Sequence, residues 1–101
     1  MSRFAMFAKV TATAGRRDEL LEILIQASRV PMPGCEMYVV NTAPQEPNVV
    51  CVYEVWQSHA DHDTSLSIPS VKALVAKAKP LVANFEGTKL DPVAGLGLVE
   101  N

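Results

Sequence analysis

The most constraining feature of this sequence is the order in which the spacing of its apolar residues changes along the chain. Residues 4–13 are rich in apolar and β-branched side chains and precede a glycine, which predicts a strand followed by a turn. Residues 16–29 place apolar side chains at helical spacing with charged residues between them, which predicts an amphipathic helix. Two further strands, at residues 35–42 and 48–57, are predicted to pair antiparallel through a proline-bearing loop at residues 43–47.

The second half of the chain carries two more helical segments and a last strand. A short helix is predicted to begin at Ser58, because a serine followed three residues later by an acid is typical of a helix start, and to end before Pro69. A longer helix is predicted over residues 70–84, with Pro80 kinking or shortening its last turn. A fourth strand is predicted over residues 85–93.

The resulting order, β-α-β-β-α-β, predicts an α+β chain with a ferredoxin-like split arrangement. In that fold one antiparallel sheet carries its helices on one face. The strands are apolar on both alternation faces, however, whereas a sheet with one wet face alternates apolar with polar residues. In the first strand Met6 and Ala8 point one way and Ala5 and Phe7 the other. Because a chain this short has helix enough for one face only, we expect the other face to pack on an identical subunit in a two-fold homodimer.

Composition limits the partners of the protein. The chain has 101 residues and a net charge of −2, which predicts one domain, residues 1–93, followed by a short apolar tail, residues 94–101. No cluster of basic residues offers a phosphate-binding stripe, so no nucleic-acid partner is expected. No signal peptide and no apolar run long enough to span a bilayer is evident, so we predict a cytoplasmic protein without a membrane partner.

The segment after the third strand concentrates the chemically versatile side chains. Residues 53–63 contain the only tryptophan and both histidines of the chain. On a helix, His59, His62 and Asp63 would share one face and could supply two imidazoles and a carboxylate to a metal ion. The pattern is not His-Glu-x-x-His and lacks a third histidine, so we interpret it as a solvated helix face and predict no metal. Neither a nucleophile motif nor a phosphate-binding loop is present, and no cofactor is expected.

A pocket built around Trp56 and His62 is the catalytic alternative. Tryptophan supplies a large flat apolar wall with one N–H donor, and histidine suits general-base work near neutral pH. If the turn after the third strand brings His62 back over Trp56, the pair could hold an aromatic substrate and take a proton from it. The alternative is a core tryptophan and a surface or capping histidine.

Further candidates for substrate contacts lie on the strands. Glu54 sits between apolar residues on one alternation face, so it is either a functional carboxylate or the cross-strand partner of a residue such as Lys9. Four other side chains are predicted to be core residues, some of them lining a cavity: Met6, Phe7, Tyr38 and Phe85.

Three pieces of the chain, in their order and spacing, resemble the antibiotic biosynthesis monooxygenase family of the dimeric α/β-barrel superfamily. They are the helix start at residues 14–20, the Pro-Gly-Cys-x-x-Tyr segment at residues 33–38, and Tyr-Glu-Val-Trp-Gln-Ser at residues 53–58. The third piece is followed by four matching positions, His62, Leu66, Pro69 and Val71. The resemblance covers the chain to about residue 93.

This resemblance implies a ferredoxin-like protomer whose sheets meet in a homodimer, with an apolar pocket between sheet and helices. Similar proteins include quinol monooxygenases that oxidise phenolic or anthrone-like rings with O₂ and without metal or flavin, haem-degrading enzymes and a sugar isomerase. Trp56 matches the family tryptophan and His62 the histidine of the helix after it, which implies catalytic roles for both.

Departures from the family pattern bear on the activity. Relatives often carry histidines where this chain has Ser65 and Ser70, and Ala8 falls near the asparagine of the haem-degrading branch, which disfavours haem chemistry. The expected function is cofactor-independent oxidation of a quinol or polyphenolic aromatic by O₂. Two alternatives remain: O₂-independent isomerisation of a small carbonyl compound, and non-catalytic binding of hydrophobic metabolites by a dimer.

Overall fold

The secondary structure follows the predicted order. The computed structural model describes residues 2–98. Its four strands are β1 (Phe4–Ala12), β2 (Cys35–Ala43), β3 (Glu46–Trp56) and β4 (Val82–Leu90). Its helices are α1 (Arg17–Ala27), α2 (His59–Ser65) and α3 (Pro69–Ala78), and a 3-10 turn (Lys79–Leu81) follows α3.

The four strands form one sheet in the order β2-β3-β1-β4, and every neighbouring pair is antiparallel. Helices α1 and α3 contact each other and cover one face of this sheet. The core lies between them, where Leu20 of α1 packs with Ala8 and Val52 of the two central strands. Leu20 is only 1% exposed, and replacing such a leucine by alanine typically costs about 2–5 kcal/mol. The predicted α+β ferredoxin-like fold is confirmed.

The hairpin between β2 and β3 is tighter than the sequence predicts. Strand β3 begins at Glu46, which pairs with Ala43, so only Pro44 and Gln45 form the loop and Pro47 lies inside the strand. The pairing of β3 with β1 reaches only to Val49, so the start of β3 has a partner on one side alone. A residue without an N–H is tolerated there, which is why the proline did not end the strand.

The boundary between α3 and β4 also differs from the prediction. The helix ends at Ala78 rather than reaching residue 84, and β4 covers Val82–Leu90 rather than residues 85–93. Pro80 cannot continue an α-helix and falls in the 3-10 turn, which confirms the predicted shortening. The carbonyl of Leu81 then accepts a hydrogen bond from the Thr13 N–H at 2.9 Å, so the chain enters the sheet three residues early.

The sheet face away from the helices is apolar and only partly covered. Ala5, Val49 and Val55 are buried on this face, whereas Phe7 is 40% exposed and Val39 is 43% exposed. The prediction that Phe7 is a core residue is therefore wrong for the single chain, because its strand position turns it away from the helices.

From residue 91 to residue 98 the chain has no regular structure apart from a turn at Leu96 and Gly97. The predicted tail, residues 94–101, is described only as far as residue 98, and its last three residues lie outside the described part. Within residues 2–98, no helix is long and apolar enough to cross a membrane.

Candidate substrate-binding cavity

A cavity of about 610 Å³ opens between the helix-covered face of the sheet and the helices. Its walls are mostly aliphatic and come from all four strands and all three helices. The apolar lining includes Met6, Val10, Leu24, Leu74, Val75 and Phe85. A cavity of this size and character is typical of a site for a small hydrophobic molecule.

The polar lining is concentrated at one end of the cavity. Two of the polar lining residues are set apart from the rest: the Ser65 hydroxyl donates a hydrogen bond to the carbonyl of His62 at 2.6 Å, and Lys79, which follows α3, is exposed. Four groups are left, contributed by β2, β3 and α2, and we call them the polar end: Tyr38, Glu54, Trp56 and His62. The cavity is thus amphipathic along its length, with hydrogen-bonding groups at one end and hydrocarbon at the other.

Trp56 closes the polar end. The residue is 1% exposed, and its indole N–H donates a hydrogen bond to Oε1 of Glu54 at 3.0 Å. The ring meets His62 edge-on, with 5.5 Å between the ring centroids. Of the two alternatives left open by the sequence, the structure has His62 folded back over Trp56, and a catalytic role for the pair stays a prediction.

Glu54 is half-buried on the cavity face of β3. Its cross-strand neighbours are Met6 on β1 and Tyr38 on β2. Burial raises the pKa of its carboxyl, and the hydrogen bond from Trp56 and the charge of His62 offset this only in part. The predicted alternative, pairing with Lys9, is wrong: Lys9 points to the other face of the sheet and its Nζ lies 2.9 Å from Oε2 of Glu46.

Tyr38 brings a phenol to the same end. Burial, and then the charge of the neighbouring Glu54, raises the pKa of this phenol above its usual value. Tyr38 is therefore a neutral hydroxyl throughout the physiological pH range. It can donate a hydrogen bond to an oxygen atom of a ligand.

Helix α2 holds His62 in place. Ser58 caps the helix by accepting a hydrogen bond from the N–H of Asp61 at 3.1 Å, which confirms the start predicted from the sequence. Gly34, at a φ of 86°, has no room for a side chain because the carboxylate of Asp61 occupies that space. The N–H of Gln57 also donates to the carbonyl of Gly34 at 2.8 Å, so the turn before α2 is tied to the start of β2.

The three candidate metal ligands do come together on α2. Ligand atoms of His59, His62 and Asp63 lie within 4.8 Å of one another, with Oδ1 of Asp63 3.4 Å from Nδ1 of His62 and 3.5 Å from Nε2 of His59. His59 and Asp63 are exposed, and His59 stacks on Phe4 with 4.3 Å between the ring centroids. These groups could hold a cation at the surface, but only His62 of the three also lines the cavity.

The predicted contacts Met6 and Phe85 both line the cavity, as Tyr38 and Glu54 do. Phe85 is 57% exposed, so it is a wall at the mouth and not the core residue the sequence predicts. Its ring lies across Gly87, where a Cβ atom would stand 2.9 Å from Cε1 of the ring.

The helices contribute to the cavity, as the family resemblance implies, but the residues that do so were not predicted from the sequence. Leu66, Leu74 and Val75 all line the cavity. The periodicity of a helix shows which face turns inward, but not whether that face meets other side chains or an open space.

Fold and cavity together define a ferredoxin-like α+β domain with an apolar ligand site that ends in acid–base groups. The sequence model of the antibiotic biosynthesis monooxygenase family matches residues 3–77, which is β1 through most of α3. The chain therefore belongs to the antibiotic biosynthesis monooxygenase family. This membership supports a monooxygenase-like function in general terms.

Solved structures agree with this assignment. An inferred antibiotic biosynthesis monooxygenase from Chloroflexus aurantiacus J-10-fl is 40% identical, with a TM-score of 0.89 over 94% of this chain and 97% of that one. Inferred family members from Deinococcus radiodurans and Caulobacter crescentus CB15 are 19% and 21% identical, with TM-scores of 0.80 and 0.81. They cover 96% and 92% of this chain and 99% and 92% of their own, and at this identity they show the fold alone. Among curated proteins, none matches the chain.

Proposed function

We propose that this protein is a cofactor-independent monooxygenase that oxidises a quinol or another polyphenolic aromatic with O₂. One observation carries the proposal: an aliphatic cavity of about 610 Å³ that ends in a carboxyl, an imidazole and a phenol. The aliphatic walls suit a flat ring system, and the polar end suits its hydroxyl groups. Membership of the antibiotic biosynthesis monooxygenase family supports the reaction class.

The chemistry requires an activated substrate. Removing a proton from an electron-rich hydroxylated ring makes the ring able to give an electron to O₂, so the protein needs a dry site, a base and donors for the developing anion. One oxygen atom of O₂ enters the ring compound. The other leaves as water with the two hydrogen atoms that the compound loses, so a hydroquinone gives a hydroxyquinone and an anthrone methylene gives a carbonyl.

Six of the cavity residues have a role in this proposal. His62 is a base that takes a proton from the substrate, and its ring is held against Trp56 and is mostly buried, with 13% of the side chain exposed. Trp56 is the end wall of the site. Met6 and Phe85 bracket the ring from β1 and β4, and Tyr38 and Glu54 contact its oxygen atoms.

We also propose that the protein acts as a homodimer in the cytoplasm. The sheet face away from the helices supports the dimer, because its exposed apolar side chains run across the strands: Phe7, Val39 and Leu90. Patches of this kind on a single chain mark protein–protein contacts. The location rests on the sequence alone.

Oxygen consumption tests the function. Uptake is measured with a panel of quinols, catechols and anthrones in the presence of a metal chelator, after subtraction of uncatalysed oxidation. We expect His62→Ala to lower the rate about 10²-fold or more. His59→Ala is the matched control, since it removes the other histidine of α2, which does not line the large cavity, and we expect it to retain the rate.

Other outcomes have definite meanings. An equal loss in both histidine variants, or a loss caused by the chelator, would move the chemistry to the cluster of His59, His62 and Asp63. No uptake with any compound would refute the monooxygenase. Ligand-induced quenching of Trp56 fluorescence would then favour the non-catalytic binder, and O₂-independent turnover of a carbonyl compound would favour the isomerase.

A further inference from the structure

The tryptophan N–H at the polar end is not available to a ligand. It is already donated to Oε1 of Glu54 at 3.0 Å, and Trp56 is 1% exposed, so the bond is sheltered from water. A hydrogen bond to a charged, sheltered acceptor is among the stronger ones in proteins. The consequence is that Trp56 fixes the direction of the carboxyl group.

The second carboxyl oxygen of Glu54 remains free to accept. Within residues 2–98, Oε2 of Glu54 has no hydrogen-bond partner, and Glu54 lines the cavity. Tyr38 is directly opposite Glu54 across the strands, on the same face of the sheet. Side chains so paired have Cβ atoms about 5 Å apart, and the charge of Glu54 acts on the Tyr38 phenol, so the acceptor and the hydroxyl donor belong to neighbouring side chains.

We propose that Glu54 is a second catalytic base, which takes the proton of a substrate hydroxyl, while Tyr38 donates a hydrogen bond to the neighbouring oxygen of the same substrate. Trp56 is then a positioning residue, because it acts on the substrate through Glu54. This inference rests on the proposed function, because the proton transfer serves the proposed oxidation. It adds which arrangement of oxygen atoms on the substrate the site recognises.

The proton balance of this step is simple. The O–H bond of the substrate breaks, and the proton is transferred to Oε2 of Glu54. The electron pair stays on the substrate oxygen, which becomes a phenolate. His62 takes the second proton when the ring is oxidised, and both protons leave in the water formed from O₂. The raised pKa of Glu54 brings it closer to that of a phenol, which favours the transfer.

The pairing of one acceptor with one donor selects a class of substrate. A ring that carries a hydroxyl beside a second oxygen, as in a catechol or an ortho-hydroxy carbonyl, satisfies Glu54 and Tyr38 together. A ring with a single hydroxyl leaves Tyr38 without a partner in the cavity, which weakens its binding.

Binding of 4-nitrocatechol without oxygen tests this inference separately from the monooxygenase reaction. The phenolate form of this probe absorbs in the visible, and binding is followed independently by quenching of Trp56, the only tryptophan of the chain. At a pH where most of the free probe is protonated, we expect the wild type to bind it as the phenolate. Glu54→Gln keeps an oxygen for the Trp56 N–H but cannot take a proton, so we expect it to lower the phenolate fraction of the bound probe about tenfold or more.

Two further variants serve as a control and as a test of the hydrogen bond from Tyr38. Glu86→Gln changes an exposed glutamate on the other face of the sheet and should behave as the wild type. Tyr38→Phe should reduce the preference for 4-nitrocatechol over 4-nitrophenol roughly three- to tenfold. An unchanged phenolate fraction in Glu54→Gln, a wild-type complex without phenolate, or no binding at all would each overturn the inference. Phenolate formation without oxygen uptake on any compound would keep it and refute the monooxygenase.

A positioning role for Trp56 predicts a pH effect that mere loss of packing would not produce. The indole N–H lowers the pKa of Glu54, so Trp56→Phe should raise that pKa and move phenolate formation to higher pH. The other titratable groups around Glu54 are Tyr38 and Cys35 of β2 and His62 of α2, and all three are kept in this variant. If Trp56→Phe binds the probe more weakly but the pH dependence of phenolate formation is unchanged, Trp56 contributes only packing to the site.

Discussion

At the scale of single residues, the buried carboxyl of Glu54 has the clearest consequences. Burial penalises its charged form and raises its pKa in the folded state. The folded protein therefore holds this proton to a higher pH than the unfolded chain does. Stability must fall as the pH rises from the unfolded pKa through the raised folded pKa, because the unfolded chain releases the proton first.

Glu54→Gln should remove this pH dependence. We expect the variant to gain stability relative to the wild type between acidic and neutral pH, since it carries no charge to bury. Urea unfolding of both proteins near pH 4 and near pH 8 measures the effect, with Glu86→Gln as the exposed control. If Glu54→Gln is less stable than the wild type by the same amount at pH 8 as at pH 4, the hydrogen bond from Trp56 to the carboxylate outweighs the cost of burying the charge of Glu54.

At the scale of elements, α2 is a short helix whose position decides whether His62 reaches the cavity. It has seven residues, and its main contacts are with the start of β1 and the end of β3, through Phe4 and Trp56. A helix this short has little stability of its own and depends on its cap and its contacts. The cap at Ser58 and the close approach of Asp61 to Gly34 supply both.

Ser58→Ala should loosen α2 without unfolding the protein. Loss of an N-cap side chain costs about 1 kcal/mol. We expect α2 amides to exchange hydrogen faster and ligands to bind more weakly, while the sheet amides keep their protection. Ser67→Ala is the matched control, because Ser67 is exposed just past the end of the same helix. Equal exchange in the two variants would show that tertiary contacts alone hold α2.

At the scale of the whole molecule, the open sheet face is the feature that a single chain leaves unexplained. Phe7, Val39 and Leu90 are each 40–43% exposed there, although they lie beside the fully buried Ala5 and Val55. Covering such side chains contributes roughly 25 cal/mol for each Å² of apolar area removed from water. A second copy of the chain would cover this face by two-fold symmetry.

Phe7→Asp should therefore separate the proposed dimer. The charge would lie at the centre of the interface, where it would be buried against its own copy, and we expect a monomer by light scattering at micromolar concentration. Gln26→Asp, an exposed change on α1, controls for the added charge. A wild type that is itself monomeric would contradict the dimer, and so would a Phe7→Asp protein of unchanged mass.

The sequence by itself determined the order of the elements and the ferredoxin-like fold, and it left the meeting of Trp56 and His62 as one of two alternatives, which the structure then decided. The order and the fold depend on short-range signals: apolar periodicity, the cap at Ser58, and the fixed alternation of side chains along a strand. Only the tertiary structure decided that Glu54 accepts from Trp56 and not from Lys9, because alternation fixes the faces within one strand, whereas the register between β1 and β3 places Met6 opposite Glu54 and Lys9 on the other face. It also decided that the helices leave a cavity above the sheet, since periodicity shows which side of a helix turns inward and not what volume lies beneath it.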